Sequence, residues 1–402
     1  MIERLHRQVW QRLPYAFRRT ALFQATTLAA PRARHGAVAA APIVVAGALR
    51  AASGLGRSAK LCLDALRMAG EHVAALDLTA SLRQPAGDAP PDAMEAAAGP
   101  GTLILHVNAP LTGLALLAIG RRRLAGKRIV GYWAWELPEV PPEWRLGVRL
   151  VHEIWVPSAF TAAAVAPIAG DRAVHIVPHP VAVEPAPPRP ARDSAAPFTV
   201  LCMFDASSSI ARKNPHGAIE AFRRAFGDDP GARLLLKTRR LDSVPEEHAR
   251  LVALADAPNI SLIDATLDAP ALDALYGGAD VMLSLHRAEG FGLSIAEAMR
   301  RGLPVIATDW SGSTDFVSAE VGVPIPFALV PAEDAQRTYH YPSLRWAEPD
   351  LDAAAAALRR LRADPGLRAR LGAAGAAHAA ARWGAPAYAT RLRELGLPVA
   401  TR

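Results

Sequence analysis

The chain has 402 residues, of which 51% are hydrophobic and 21% charged, and a net charge of +7. That balance excludes a disordered chain and allows two or three domains, each with its own core. Two cysteines, Cys62 and Cys202, lie in apolar runs without metal or redox spacing, which reads as buried free thiols in a reducing compartment.

Residues 1–40 carry seven arginines against one acid, Glu3, with Trp10, Tyr15, Phe17 and Phe23 interleaved. Pro14 breaks any single long helix there. The arginines interrupt every apolar stretch, so neither a cleaved signal peptide nor a membrane span is expected. The segment reads as a basic extension. It is either a solvated tail or a membrane-surface contact, because arginines attract anionic lipid and aromatics enter the headgroup layer.

From residue 41 the pattern alternates. Short apolar runs predict strands at 43–46, 72–77, 102–107, 128–133, 153–156 and 174–177, with helical periodicity over 57–70. A proline-rich stretch over 185–197 reads as a linker between a first domain, 41–184, and a second, 198–385. The alternation restarts at 198–204, 233–237, 260–263, 281–285 and 304–307, with a helix over 215–226. Residues 351–396 read as helical, and 386–402 as a last segment that can cross back to the first domain. Buried strands alternating with helices predict an α/β chain with two parallel sheets. A ligand cleft is expected at the carboxyl ends of the strands.

The chemistry concentrates in the second half. Val281–Leu285 leads into Glu289-Gly290-Phe291-Gly292 and then a helix holding Glu297, eight residues after Glu289. A glycine turn at a helix N-terminus suits a phosphate or a sugar hydroxyl, and carboxylates accept from vicinal hydroxyls. Arg212 and Lys213 stand just before the helix at 215, as a diphosphate clamp would. Only four lysines occur, Lys60, Lys127, Lys213 and Lys237, which adds interest to each in an arginine-rich chain.

These stretches resemble the E-x7-E signature and phosphate lysine of retaining glycosyltransferases of family 4. The resemblance covers roughly residues 41–390 and is strongest over 198–320. It implies a GT-B fold, with two Rossmann-like domains facing each other. It also implies transfer of a hexosyl unit from a nucleoside diphosphate sugar, GDP- or UDP-linked, to a hydroxyl of a glycan or lipid-linked glycan in cell-surface polysaccharide synthesis. By that resemblance Glu289 contacts the donor sugar, Glu297 the ribose, and the backbone of Gly290, Phe291, Gly292 and Leu293 the diphosphate or the sugar. Lys213 binds phosphate, and His106, at a strand end of the first domain, lies by the donor sugar. Many members carry an arginine about six residues before the lysine; here that position is Ser207. Arg212 or Lys237 are the candidates to replace it.

In the first half, Gly54 and Gly56 follow the first strand and let backbone approach an anion. The same letters fit a dinucleotide fingerprint with Asp77 as the ribose acid, so an NAD-type oxidoreductase is the rival reading, with a non-catalytic sugar-nucleotide-binding protein as a further one. Against the fingerprint, Gly54 comes seven positions after Gly47, where the strand ends. Trp133, Trp135 and Glu136 are the acceptor candidates, since aromatic faces stack on sugar rings while a carboxylate takes the rim. No Asp-x-Asp stands near the phosphate site and no His/Cys cluster has metal spacing, so neither a metal nor another cofactor is expected. A cytoplasmic location and no nucleic-acid partner are expected too.

Overall fold

The computed structural model describes residues 15–33, 36–87, 98–182, 184–187, 189 and 195–400. Residues 1–14 of the basic extension, and residues 188 and 190–194 of the proline-rich linker, lie outside them.

The first sheet contains β1 (Ile43–Gly47), β2 (Val73–Asp77), β3 (Gly101–His106), β4 (Lys127–Tyr132), β5 (Glu153–Val156) and β6 (Val174–Ile176). All pairs are parallel, in the order β2-β1-β3-β4-β5-β6. The second sheet contains β7 (Phe198–Met203), β8 (Ala232–Thr238), β9 (Ile260–Asp264), β10 (Val281–Ser284), β11 (Val305–Thr308) and β12 (Val323–Ile325). It is also parallel, in the order β12-β11-β10-β7-β8-β9. Strands buried along their length, as in Ile43–Gly47 and Val305–Thr308, explain why the runs read as continuous apolar stretches rather than alternating ones. The expectation of two Rossmann-like α/β domains holds.

Counted within its own domain, the second sheet has the doubly wound order 3-2-1-4-5-6. The strand order reverses between β7 and β10, and the crevice outside the carboxyl ends of those two strands is where such sheets take ligands. The loops after β7 and β10 are the two that carry Lys213 and Glu289.

Two features had no clear sequence signal. The Tyr15–Ala29 helix packs on the Ala109–Ile119 helix and buries Phe23, Thr26 and Thr27, so this part of the basic segment is seated on the first domain. The approach is close enough that a Cβ on Gly113 would lie 2.8 Å from the Thr26 backbone. The other feature is an antiparallel hairpin, β13 (Phe327–Ala332) and β14 (Tyr341–Pro349), which interrupts the second domain. Its Ala332, Tyr339 and Trp346 belong to the core that holds Trp133, Trp135 and Trp144 of the first domain.

At the far end, the Ala385–Glu394 helix leaves the second domain and buries Tyr388, Ala389 and Leu392 in the first domain's core, with Leu397 and Val399 following. The chain therefore crosses between the domains twice. The crossings touch where the Ala182 amide donates to the Trp383 carbonyl, 3.1 Å.

Candidate active site

The loop after β7 is shaped by its own side chains. Asp205 accepts from the Ser207 amide, 3.0 Å, and Ser209 caps the short Ile210–Lys213 helix. Asn214 then adopts a left-handed conformation (φ 53°), caps the Pro215–Phe226 helix through Gly217, and donates from its side chain to the Leu285 carbonyl, 3.0 Å. Asn tolerates that backbone and Pro suits the first helical position, so Lys-Asn-Pro is a built helix entry. Its bond to Leu285 ties the loop after β7 to the end of β10.

That tie brings Lys213 against Glu289. The Lys213 ammonium donates to Oε1, and Arg212 Nη1 stands 3.3 Å from Oε2. The Glu289 amide donates to Ser311 Oγ, 2.8 Å, and its carbonyl accepts from Gly312 N, 2.8 Å. Burial opposes the charge on Glu289, but Lys213 and Arg212 overcome it and hold the carboxyl down at about 2. Lys213 is itself pulled below the usual ammonium range by burial, against the opposing charge of Glu289. His286, in the same loop, is buried and lowered to about 4, with Nε2 3.3 Å from the Trp310 carbonyl.

Glu297 lies in the second turn of the Leu293–Arg300 helix, behind Gly292 (φ 97°). Its Oε1 accepts from Arg57 Nε of the first domain, 3.2 Å, and Tyr276 OH is 3.5 Å from Oε2. Gly54 and Gly56 open the helix that holds Arg57, capped by Ser53. A Cβ at Gly56 would meet the Ala51 carbonyl at 2.4 Å, so this glycine is needed for packing of the helix on the preceding loop. Asp77, the acid of the dinucleotide reading, accepts from both the Thr79 amide, 3.1 Å, and its hydroxyl.

Two interdomain contacts close over the glycine turn. The Gly290 carbonyl accepts from Ser158 Oγ, 2.6 Å, and Asp315 Oδ2 accepts from the Ala159 amide, 2.8 Å. A Cβ at Gly290 would lie 3.0 Å from the Trp135 carbonyl, and one at Gly312 2.2 Å from the Gly290 carbonyl. Three backbones meet with no space for side chains. Phe291 packs edge-on against His179 of the first domain, ring centroids 4.9 Å apart. Behind His179, Tyr132 stacks on His106 at 4.5 Å. His106 is 2% exposed, with Nδ1 2.8 Å from Ser58 Oγ and Nε2 without a partner; burial lowers it to about 3, so it is neutral at pH 7.

Several expectations need correction. Trp133 is wholly buried and Trp135 nearly so, edge-on to Trp144 at 5.9 and 5.2 Å, so neither presents a face to a sugar. Asn108 holds the Ala134 backbone at both its N–H and carbonyl, 2.8 and 2.9 Å, and this turns the indoles inward. Glu136 accepts instead from Tyr339 OH of the hairpin, 2.8 Å. Lys237 is turned away from the carboxylate pair, donating to the Thr238 and Ala265 carbonyls at 2.8 and 2.6 Å. Arg212 is wholly buried. It donates to the Ala288 carbonyl, 2.7 Å, and to Ser208 Oγ, 2.7 Å, and stacks over Tyr339 at 5.0 Å. Its two terminal nitrogens hold the loop before Glu289, while its buried Nε has no partner.

Sequence reasoning did not single out Arg57, Tyr339 or Gln336. Gln336 at the hairpin tip bonds the loop after β7 twice, to the Ala206 carbonyl at 2.8 Å and the Ile210 amide at 2.6 Å. Only the pairing of distant segments reveals these contacts.

Two facing doubly wound domains, with a lysine–glutamate pair at the switch point of the second, define the architecture of GT-B glycosyltransferases. Residues 158–382 match the family described as "Family 4 Glycosyltransferase in conflict systems", and the chain belongs to it. No curated protein matches the chain. Among solved structures it is similar to a mutant of S. aureus TarM in complex with fondaparinux, alpha-GlcNAc-glycerol and UDP, at 12% identity and TM-score 0.55, covering 73% of this chain and 55% of that one. It thus spans about half the length of TarM. It is also similar to Anabaena HepE in complex with UDP-glucose (16% identity, TM-score 0.59, 88% of this chain and 99% of that one). Sucrose-phosphate synthase of Thermosynechococcus elongatus is a third (17%, 0.61, 89% and 98%). At these identities the likeness is one of fold.

Proposed function

We propose that the chain transfers a glycosyl unit, a hexosyl in the first instance, from a nucleoside diphosphate sugar to a hydroxyl of a glycan or lipid-linked glycan, with retention at the anomeric carbon. The observation that carries this reading is the Lys213–Glu289 pair at the switch point of the second sheet. Lys213 is placed to neutralise the leaving diphosphate. Glu289, ionised through the whole physiological range, is placed to accept from donor-sugar hydroxyls. Glu297 takes the ribose. Because Glu289 is held near 2, it cannot serve as a proton donor at neutral pH, so the chemistry rests on positioning and on charge stabilisation of the leaving group. His106 is neutral and buried behind Tyr132 and His179, where it positions rather than carries charge.

The reading places the enzyme in the cytoplasm, at the membrane face where lipid-linked acceptors are presented. Supporting this, Leu22 and Leu28 of the first helix are exposed apolar side chains, and an arginine-rich stretch precedes them in sequence. No helix among the described residues is long and apolar enough to cross a membrane.

Isothermal titration of the full chain with UDP, UDP-glucose, GDP and GDP-mannose, followed by donor hydrolysis assays, tests the reading. Saturable binding of a sugar nucleotide that is lost in Lys213→Ala supports it. Tight binding of NAD(H) with no sugar-nucleotide binding would overturn it in favour of an oxidoreductase using the Gly54 loop.

A further inference from the structure

The loop after β7 carries Ser207 where the family resemblance expects a second phosphate-binding arginine. The nearby cations differ sharply in what they can still do. Arg212 is buried and bonded to Glu289, Ala288 and Ser208. Lys237 is spent on two backbone carbonyls. Arg239 directs both Nε and Nη2 to Asp205 Oδ2, at 3.0 and 2.6 Å.

Arg240 is different. Its Nη2 donates to Ser207 Oγ at 2.6 Å and to Asp205 Oδ2 at 2.8 Å, which sets the guanidinium directly beside position 207. Its Nε is buried without a partner, as is that of Arg212, but its side chain is 35% exposed against 2% for Arg212, so its outer end reaches solvent. The sheet explains the placement. β8 is the parallel neighbour of β7, with Met203 opposite Lys237. The pairing runs on past the strands, as the Ala206 amide donates to the Arg239 carbonyl, 3.2 Å. A residue just past the end of β8 therefore stands beside one just past the end of β7. Arg240 also has a left-handed backbone (φ 62°), which a non-glycine residue adopts at a cost. The turn is held by Ser243, whose amide and hydroxyl both donate to the Arg240 carbonyl, at 3.1 and 2.7 Å.

We propose that Arg240 is the second diphosphate-binding cation of this enzyme, supplied from the end of β8 in place of the residue missing at position 207. The assignment rests on the sugar-nucleotide reading above. The guanidinium fork offers its unspent donors to phosphate oxygens, while Asp205 and Ser207 fix its plane. The ligand is a nucleoside diphosphate, and the increment Arg240 adds belongs to its phosphates, not its base or ribose.

The test is isothermal titration of the full chain with UDP, GDP, ADP and dTDP, and with the matching nucleosides. Wild type should bind one diphosphate. Arg240→Ala should weaken that diphosphate roughly 10–100-fold while leaving the nucleoside unchanged. Arg240→Gln, which keeps hydrogen bonds to Asp205 and Ser207, reads the same loss if the alanine variant folds poorly. Adding Ser207→Arg to Arg240→Ala should restore most of the affinity. Unchanged diphosphate affinity in both Arg240 variants would overturn the assignment and leave the sugar-nucleotide reading standing. Parallel loss of nucleoside and diphosphate affinity would also overturn it. Absence of binding to every diphosphate by wild type would overturn both.

Discussion

Arg57 of the first domain and Glu297 of the second meet across the cleft, Nε to Oε1 at 3.2 Å. The Arg57 side chain is 42% exposed and Glu297 only 11%, so the pair is half in water and weak as a source of stability. Arg57→Ala should cost less than about 1 kcal/mol in urea unfolding. Glu297→Ala should be similarly mild in unfolding yet weaken nucleoside binding about tenfold. A nucleoside affinity equal to wild type in Glu297→Ala would remove the ribose role.

Lys213 and Glu289 should behave as one unit in catalysis. Each alanine variant is expected to reduce turnover by about 10²–10³-fold. The double variant should lose far less than the product of the two, since removing either partner already breaks the pair. Multiplicative losses in a double-mutant cycle would show that the two act separately.

Acid should reveal Glu289 directly. Its carboxyl is lowered from 4.5 to about 2 in the folded chain, so the unfolded chain takes up the proton first as pH falls. The stability it confers is complete above about pH 4.5 and is lost between there and 2. The difference in urea midpoint between wild type and Glu289→Gln should be constant well above pH 4.5 and shrink below it. His286 works in the same sense at higher pH. Lowered from 6.5 to about 4, it makes the fold lose stability as pH falls below 6.5, and His286→Asn should flatten that part of the profile.

Tyr339→Phe removes only the hydroxyl that donates to Glu136. A hydrogen bond to a charged group contributes about 1.5–3 kcal/mol, and that loss should appear in equilibrium unfolding. Because Tyr339 also lies over Arg212, Tyr339→Ala should additionally lower turnover, whereas Tyr339→Phe should retain most of it.

Gly312→Ala would set a methyl 2.2 Å from the Gly290 carbonyl. Neither backbone can yield without moving Glu289, whose carbonyl is bonded to Gly312 N. The variant should lose about 1–3 kcal/mol in stability and most of its donor affinity. Wild-type donor affinity in a folded Gly312→Ala protein would show that the turn tolerates displacement.

What could be read in advance follows from how local each signal is. Glu289, Gly290, Gly292 and Glu297 lie within one strand–turn–helix unit, and Lys-Asn-Pro is a helix entry, so both were legible in the chain itself. The strands of the two sheets were legible because buried parallel strands are continuously apolar. The hairpin was not, because Phe327–Ala332 and Tyr341–Pro349 mix prolines, charges and half-exposed positions and gain their register only from each other. The indoles of Trp133 and Trp135 look the same in sequence whether they face a sugar or a core. Asn108, 26 residues before Ala134, decides the matter. Arg240 escaped notice for a related reason: its neighbourhood with Ser207 exists only once β7 and β8 are paired.

The bond between Ala182 and Trp383 fastens together the two segments by which the chain passes from one domain to the other. Two separate tethers at distant points would define an axis and leave only a swing about it. Two tethers pinned at one place act as a single pivot, about which one domain can turn on the other. Ser158–Gly290, Ala159–Asp315, Arg57–Glu297 and Glu136–Tyr339 are then what fixes the angle between the domains, which the pivot alone would leave free.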